Sequence, residues 1–451
     1  MTRSRLIANS RMRLRSQSTL ILTIILAVGT CYYYFGLLIP NVRQLSLAHA
    51  MDVRYSFGGD FYPIWMTGRE LLDRRSDPYT PEMTKKIQID LYGRPMATRS
   101  GDPPAEYRAF SYPLYTDLLA GPLLPLSFNA VRLVLSVPLV LVTAASVLLW
   151  LRTFEIKLPR DTLRIFVLLT LISYPALEGL YALQAGLLVG FALAASVWAL
   201  VHNRLALSGV LLAIASVKPQ MMWLIAIFTL LWTCSEWKRR KALALSFVFT
   251  MALLCLVSEV MLPGWFSGWW RAVTRYSAYT LPPLPQFILG RFPGLAASLF
   301  LLFLTGIVCW RSRKSPAPSE TFSLAISWVL AVTAILLPTG GAVYDQILLL
   351  PAILWLWPRR EEICRRSIPL RVLALAAAVA ISWQWIMACA VAVGTFVYPA
   401  WAGMHTVLVF PTRMAASLPF VVIALLAFAI FGTAGSHPRA KEGRIFSTSS
   451  M

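Results

Sequence analysis

The chain alternates between long apolar runs and short polar segments that carry most of its basic residues. Apolar runs of this length are typical of membrane-crossing helices, because about 20 helical residues span the hydrocarbon core. Of the 451 residues, 58% are hydrophobic and 14% are charged, whereas a soluble domain is about half apolar and a quarter charged. The pattern predicts an all-α polytopic membrane protein, a single integral membrane domain over residues 1–451 with about twelve transmembrane helices.

The basic residues predict which ends of the helices face the cytoplasm. Five arginines precede the first apolar run, residues 20–40, which is too long for the core of a signal peptide. We therefore expect a retained first span with a cytoplasmic N-terminus. The later runs can be threaded so that the basic clusters at residues 238–241 and 359–371 are also cytoplasmic, as the positive-inside rule requires. Residues 433–451 then form a cytoplasmic basic tail, and both termini lie inside.

One polar segment is long: residues 41–112, here called the first loop, which this topology places outside the cytoplasm. Within it, residues 61–72 have apolar side chains at helical spacing and predict an amphipathic juxtamembrane helix on the membrane surface. Residues 81–91 predict a second short helix. Residues 112–126 are apolar but short and bounded by proline, and could be a span. A span there would place the basic residues at 152–164 outside, so we expect a shallow or re-entrant helix. A later outer segment, residues 265–279, is rich in Trp and Tyr and predicts an interfacial aromatic belt.

The remaining composition excludes several classes of function. The net charge of +21 does not indicate nucleic-acid binding, because the basic residues lie between apolar runs and not on one face. The six cysteines and four histidines are scattered without metal-ligand spacing, so we expect no metal and no cofactor. No internal repeat is evident. That argues against a transporter, since many transporter folds are built from repeats, but a lipid or glycan transporter or flippase is the main alternative to an enzyme.

Ionisable residues inside or at the edge of apolar runs mark the candidate chemistry, because charges are costly in lipid. In the predicted topology five of them lie in the outer half of the membrane, on the same side as Asp60 of the first loop. They are Glu178, Lys218, Glu259, Asp345 and Arg413. Their shared side predicts one polar site at the extracytoplasmic ends of the helices.

Asp60 and Lys218 each allow two interpretations. Asp60 follows Gly58 and Gly59, whose flexibility would let its carboxylate approach a substrate as a general base or charge stabiliser. The alternative is an N-cap for the helix that begins at residue 61. Lys218 precedes Pro219 in a break between two half-length helices, where an ammonium could bind phosphate or simply extend to the interface.

The other charged candidates are similarly open. Asp345 begins an apolar run and could cap a helix, orient a sugar hydroxyl or hold a cation. Arg413 follows Phe-Pro-Thr and could grip a phosphate or anchor the chain at the interface. Asp52 and Asp60 could together hold a divalent cation, but two loop aspartates are a poor set of ligands.

Short motifs extend from the first loop to about residue 351. They are Asp60-Phe61-Tyr62, Leu71-Leu72, Asp77-Pro78-Tyr79-Thr80-Pro81, Phe110-Ser111-Tyr112-Pro113, Leu183-Gln184-Ala185-Gly186, Ser208-Gly209 with Lys218-Pro219, and Tyr344-Asp345 near Pro351. Together they resemble glycosyltransferase family 87, a family of the polytopic GT-C superfamily that includes the mycobacterial phosphatidylinositol-mannoside mannosyltransferases. The first-loop motifs are the most specific.

The resemblance implies a GT-C-like fold and a hexosyltransferase, with mannose the first candidate sugar, in the plasma membrane of a prokaryote. The donor would be a polyprenyl-monophosphate sugar and the acceptor a lipid or glycan on the extracytoplasmic face. The resemblance identifies Asp60 as the catalytic residue, and we expect Lys218 and Arg413 to bind the donor phosphate. The expected substrate-binding residues are Tyr62, Tyr112, Gln184, Tyr344 and Asp345.

The chain departs from the family pattern in three places. Leu114 stands where a second proline is frequent, Leu183 where glycine is usual, and no histidine lies near Tyr344. These departures leave the sugar and the acceptor open. Two further alternatives are a glycan polymerase or ligase with a diphosphate donor, whose large outer loop usually comes late in the chain, and an inactive partner of a cell-wall complex.

Overall fold

Helices and turns make up the whole described structure. The computed structural model describes residues 3–49, 53, 54, 56–337 and 343–431, with side chains from residue 17, and within these ranges it contains no β-strand. The all-α prediction is therefore confirmed. Asp52, Pro338 to Gly341 and the predicted basic tail at residues 433–451 lie outside the described residues.

Six helices in the described ranges are long and apolar enough to cross a membrane: Gln17–Ala48, Phe128–Thr153, Trp237–Met261, Arg291–Ser312, Ile368–Val397 and Phe410–Phe431. A seventh candidate span is bent by 55° between Arg160–Leu171 and Tyr174–Tyr181. Four shorter apolar helices complete the bundle: Ala185–Val201, Leu205–Ala215, Pro219–Ser235 and Glu320–Leu336. The polytopic architecture predicted from the hydrophobic pattern is thus confirmed.

One predicted span is irregular in the structure. Residues 347–357 form the end of a 3₁₀ helix, Val343–Leu349, and the seven-residue helix Leu350–Leu356. Asp345, in the first of these, forms an ion pair with Lys218 inside the protein. The six long candidate spans, the bent pair and the four shorter apolar helices are otherwise consistent with the prediction of about twelve transmembrane helices.

Short helices connect and flank these spans. The first span consists of the later part of the helix Arg3–Cys31, a π-helical stretch Tyr32–Leu38 and the helix Ile39–Ala48. The remaining short α-helices are Tyr62–Arg74, Pro81–Tyr92, Tyr115–Leu119, Trp265–Tyr279, Leu284–Leu289, Arg360–Arg366 and His405–Leu408. The remaining 3₁₀ helices are Gly121–Leu123, Trp357–Arg359, Pro399–Gly403 and Phe410–Ala416, and the last of these leads into Leu418–Phe431.

Both helices predicted in the first loop are present, as Tyr62–Arg74 and Pro81–Tyr92. The first of them is covered by protein, since every residue from Tyr62 to Gly68 is buried. Trp65, for example, donates its indole N–H to the backbone carbonyl of Leu126 at 3.0 Å. The helix therefore does not lie freely on the membrane surface, as the pattern suggested, because its apolar face meets other parts of the chain.

The aromatic helix, Trp265–Tyr279, packs one face on the first loop. The indole N–H of Trp269 donates to the carbonyl of Ser111 at 3.1 Å, and a Cβ at Gly268 would lie 2.9 Å from the ring of Tyr79. The other face carries Phe266 and Trp270, which are 55% and 57% exposed. The interfacial-belt interpretation therefore fits only that second face, and the helix also covers the first loop.

The bundle has two ends with different chemistry. One end, here called the site end, is where the chain before Phe128 meets the break between the helices Leu205–Ala215 and Pro219–Ser235. There Tyr115 Oη lies 2.9 Å from Ser216 Oγ, just before Lys218. At the opposite, basic end, Trp232 donates to the carbonyl of Ser315 at 2.9 Å. A cavity of about 470 Å³ opens at the basic end, between residues such as Arg311 and Phe428, and none of the candidate site residues line it.

Asp117, in the short helix Tyr115–Leu119, is enclosed beneath the first loop. Its Oδ1 accepts a hydrogen bond from Thr67 Oγ1 at 3.3 Å, and its Oδ2 has no hydrogen-bond partner among the residues that the structure describes. Burial raises the pKa of this carboxyl well above its usual range. Burial therefore favours the neutral form of Asp117 in the folded protein.

We expect Asp117→Asn to make the protein less sensitive to alkaline pH. The folded protein binds the Asp117 proton more tightly than the unfolded chain does, so this contribution to stability is complete below the ordinary aspartate pKa and is lost as the pH rises. Asparagine has nearly the same size as aspartic acid but no carboxyl proton to lose. Melting temperatures in detergent should show the advantage of the variant over the wild type growing as the pH rises above the ordinary aspartate pKa of about 4. A constant or shrinking difference would contradict a neutral Asp117.

Candidate active site

Asp60 is positioned by the turn that precedes the helix Tyr62–Arg74. The backbone N–H of Gly58 donates to the carbonyl of Tyr181 at 2.8 Å, and that of Asp60 donates to Ala182 at 3.3 Å. Gly58 has a φ of +86°, and a Cβ there would lie 3.0 Å from the Leu183 side chain. Glycine is thus required by both conformation and space, and the turn lays Asp60 against residues 181–184.

The carboxylate of Asp60 has two side-chain donors. Gln184 Nε2 donates to Oδ2 at 2.7 Å, and the guanidinium of Arg108 donates to Oδ1 in an ion pair. The N-cap of the following helix is Phe61, which makes no side-chain cap. The capping interpretation of Asp60 is therefore wrong, because both of its oxygens are directed at residues distant in sequence.

Two residues near Asp60 have a left-handed backbone conformation. Leu183, next to Gln184, has a φ of 52°, and Arg108 has a φ of 64°. Side chains other than glycine adopt this region rarely and at some cost. Leu183 stands where the family pattern usually has glycine. Glycine would adopt this positive φ without strain, whereas this chain adopts it with leucine.

Arg108 is the functional candidate that the sequence interpretation missed. Its Nε donates to the Tyr92 hydroxyl at 2.9 Å, and its guanidinium carbon lies 5.5 Å from the centre of the Tyr107 ring. Tyr107 in turn packs against Tyr279 of the aromatic helix, with ring centres 6.1 Å apart. The sequence signal was slight: a basic residue two positions before the Phe110 motif.

Lys218 and Asp345 form a second ion pair. Lys218 Nζ lies 2.9 Å from Asp345 Oδ1, and the two side chains are only 5% and 4% exposed. Lys218 stands at the start of the helix Pro219–Ser235, in the predicted break between two half-length helices. Burial excludes the interpretation that this lysine extends to the interface. Asp345 is the counter-ion of Lys218, a contact that the sequence did not predict.

Gly186 and Tyr344 lie against this ion pair. A Cβ at Gly186 would be 2.8 Å from Asp345 Oδ1 and 3.2 Å from Lys218 Nζ, so the helix Ala185–Val201 approaches the pair through a glycine. The Tyr344 ring lies beneath the ammonium, with Nζ 4.7 Å from the ring centre. Because Gln184 begins the same helix and contacts Asp60, the two ion pairs belong to one site.

Tyr112 lies between the two ion pairs. Its hydroxyl donates to Gln184 Oε1 at 3.4 Å. Burial, and after it the charges of Asp60 and Asp345, raise the pKa of this phenol. Burial and the Asp60 charge also raise the pKa of Tyr276, on the aromatic helix, to about 12. Both phenols are neutral hydrogen-bond donors near neutral pH. We call Asp60, Arg108, Tyr112, Gln184, Lys218 and Asp345 the Asp60 cluster.

Other predicted residues are placed differently. Tyr62 is buried, and its hydroxyl donates to Asp90 at 2.9 Å. Glu178 accepts a hydrogen bond from Tyr34, and Glu259 accepts one from the backbone of Gly264 at 2.8 Å. Arg413 is exposed and, in the described part of the chain, makes no hydrogen bond or ion pair with the cluster. Substrate binding by Tyr62 and phosphate binding by Arg413 stay predictions.

Among the described residues, no group of three or more His, Cys, Asp and Glu side chains is arranged to hold a metal ion. Asp52, which the alternative of a divalent cation would need beside Asp60, lies outside the described residues. The expectation of a metal-free site therefore stays a prediction.

Comparison with known proteins identifies a family. No curated protein and no solved structure matches the chain. The sequence profile of glycosyltransferase family 87 matches residues 110–339, just over half of the chain. The matched region contains Tyr112, Gln184 and Lys218 of the cluster, and the resemblance noted in the motifs is confirmed. The chain therefore belongs to glycosyltransferase family 87.

Proposed function

We propose that this membrane glycosyltransferase moves a hexose, with mannose as the first candidate, from a polyprenyl-monophosphate donor to a hydroxyl group of a lipid or glycan. Family membership supports the transferase activity, and the apolar helices support the membrane location. One observation carries the finer proposal: the Asp60 carboxylate, held by Arg108 and Gln184, lies at one end of the bundle beside buried Lys218.

The proposed chemistry needs a single base. A sugar on a lipid phosphate already has a good leaving group, so no side chain has to protonate it. A glycosidase, by contrast, uses two carboxylates because its leaving group is a poor alkoxide. In our mechanism the acceptor oxygen attacks the anomeric carbon, and the bond from that carbon to the phosphate oxygen breaks. Asp60 takes the hydroxyl proton, the polyprenyl monophosphate leaves, and the single displacement inverts the anomeric centre.

The departing phosphate needs nearby positive charge. We propose that Lys218, with Arg413, supplies part of that charge. We further propose that Tyr112, Gln184, Tyr344 and Asp345 line the substrate site. Tyr112 and Gln184 adjoin Asp60, while Tyr344 and Asp345 adjoin Lys218, which supports these roles.

The basic end of the bundle supports an orientation. Arginines and lysines concentrate at residues 238–241, 311–314 and 359–371, away from the Asp60 cluster. By the positive-inside rule we propose that this end is cytoplasmic, so that the cluster faces the extracytoplasmic side of a prokaryotic plasma membrane.

The assay must separate this transferase from a lipid or glycan flippase. We expect purified protein in liposomes to move labelled mannose from polyprenyl-phosphate mannose onto an added lipid acceptor, with release of polyprenyl monophosphate and inverted configuration. Polyprenyl-phosphate glucose and protein-free liposomes are the parallel samples. A flippase would instead move intact donor across the bilayer with its sugar–phosphate bond unbroken, and that result would contradict the proposal.

A further inference from the structure

Each cation of the Asp60 cluster already has a carboxylate partner: Arg108 pairs with Asp60, and Lys218 pairs with Asp345. A phosphate-bearing donor adds negative charge to this site. To bind a cation directly, the phosphate must compete with one of the two carboxylates. The physical question is which of the two ion pairs opens.

The Lys218–Asp345 pair is the costly one to open. Both side chains are almost fully buried, and the backbone of Gly186 packs directly against them. If Lys218 left, Asp345 would remain as an unpaired charge in the interior, which is strongly unfavourable. This pair is therefore suited to holding the site together.

The Arg108–Asp60 pair is the easier one to open. The Arg108 side chain is 32% exposed and that of Asp60 is 16% exposed, so water can reach both. Asp60 would keep the hydrogen bond from Gln184 after Arg108 left. Arg108 would keep the hydrogen bond from its Nε to the Tyr92 hydroxyl, while its two terminal nitrogens could rotate away from Asp60. A guanidinium can also donate two parallel hydrogen bonds to a phosphate, a geometry that suits it better than an ammonium.

We propose that Arg108 binds the donor phosphate and that, in leaving Asp60, it frees the carboxylate oxygen that accepts the acceptor proton. This inference rests on the proposed function and deepens it. Without donor, the guanidinium occupies Oδ1 and blocks the base; with donor, the base is unmasked. Donor must therefore bind before the acceptor hydroxyl can be deprotonated. The left-handed backbone at Arg108 agrees with this role, since such costly conformations concentrate at functional sites.

The test measures binding, so it does not depend on knowing the sugar or the acceptor. Full-length protein in nanodiscs is titrated with farnesyl phosphate, a short polyprenyl monophosphate, and with farnesol, which lacks the phosphate. We expect Arg108→Gln to weaken farnesyl phosphate binding about tenfold or more and to leave farnesol binding unchanged. Arg108→Lys should lie between, because it keeps the charge and loses the guanidinium.

The affinity of Asp60→Asn for farnesyl phosphate provides a second test, because a purely structural role for Arg108 would not predict tighter binding by this variant. The substitution removes the carboxylate that competes for Arg108, so farnesyl phosphate should bind this variant more tightly than the wild type. Arg94→Gln is the matched control, because Arg94 forms an ion pair with Asp102 in the same loop, 2.7 Å apart, outside the cluster. Its affinity for farnesyl phosphate should equal that of the wild type.

The outcomes separate this inference from the proposed function. If the wild type prefers farnesyl phosphate to farnesol and Arg108→Gln keeps that preference, the role of Arg108 is overturned while the proposed donor class stands. Weaker binding of farnesyl phosphate by Asp60→Asn would also overturn it. If the wild type shows no preference for the phosphate, the polyprenyl-phosphate donor itself is excluded. If Arg108→Gln does not fold, Arg108→Lys and Asp60→Asn carry the test.

Discussion

Asp60→Asn is expected to lower the turnover number by about 10²- to 10⁴-fold, the usual contribution of a general base. Asparagine keeps the shape of the side chain and can still accept from Gln184 through its amide oxygen. It cannot take the acceptor proton. Because the Arg108 and Asp60 side chains are 32% and 16% exposed, loss of their ion pair should lower the melting temperature less than loss of the buried Lys218–Asp345 pair. The measurement is sugar transfer in liposomes at saturating donor, with the melting temperature of the same preparations.

The matched control is Asp73→Asn. Asp73 lies in the helix Tyr62–Arg74 of the same loop, and its side chain is exposed. This variant should transfer sugar at the wild-type rate. If Asp60→Asn also kept turnover within tenfold of the wild type, Asp60 would not be the base, and the proposed mechanism would need another proton acceptor.

The sequence predicted those parts of the site that depend on neighbours in the chain. Gly58 before Asp60 predicted a special turn, and its φ of +86° is one that glycine tolerates. Pro219 after Lys218 predicted the helix break, and the break is present. A shallow helix at residues 112–126 was predicted because a span there would have placed the basic residues at 152–164 outside, and the segment forms Tyr115–Leu119 and a 3₁₀ turn.

Partners distant in the chain could not be predicted in the same way. Arg108 lies 48 residues from Asp60, and their pairing depends on the path of the whole first loop. Its left-handed backbone has no marker in the sequence, because arginine rarely adopts that conformation. The resemblance did single out Gln184 for substrate binding, but not its contact with Asp60. Topology placed Lys218 and Asp345 on one side of the membrane without showing that they touch.

Aromatic residues misled for a related reason. Trp and Tyr at the end of a span are typical of a lipid interface, yet the same residues are favoured wherever an apolar surface meets polar groups. Trp269 donates its indole N–H to the carbonyl of Ser111, and Trp65 donates its own to the carbonyl of Leu126. Both contacts are with the protein, and composition alone cannot distinguish a protein partner from lipid.

The second large effect expected is structural. Lys218→Ala should lower the free energy of unfolding by about 3–5 kcal/mol, because it leaves the buried Asp345 carboxylate without its counter-ion. Lys86→Ala is the matched control: Lys86 pairs with Glu70 across the surface of the first loop, where its side chain is 40% exposed. That change should cost at most about 1 kcal/mol. Denaturant titration in detergent micelles measures both.

A double variant distinguishes the stability cost of an unpaired buried carboxylate from the role of the ion pair in sugar transfer. Lys218→Met with Asp345→Leu removes both charges and keeps apolar volume, so most of the lost stability should return. A double variant as unstable as Lys218→Ala would show that something other than an unpaired carboxylate causes the loss. Once folding is restored, transfer activity reports on the role of the Lys218–Asp345 pair in the reaction. If the ammonium helps to neutralise the departing phosphate, the stable double variant should remain slow, whereas recovery of transfer would assign Lys218 and Asp345 to holding the helix break in place.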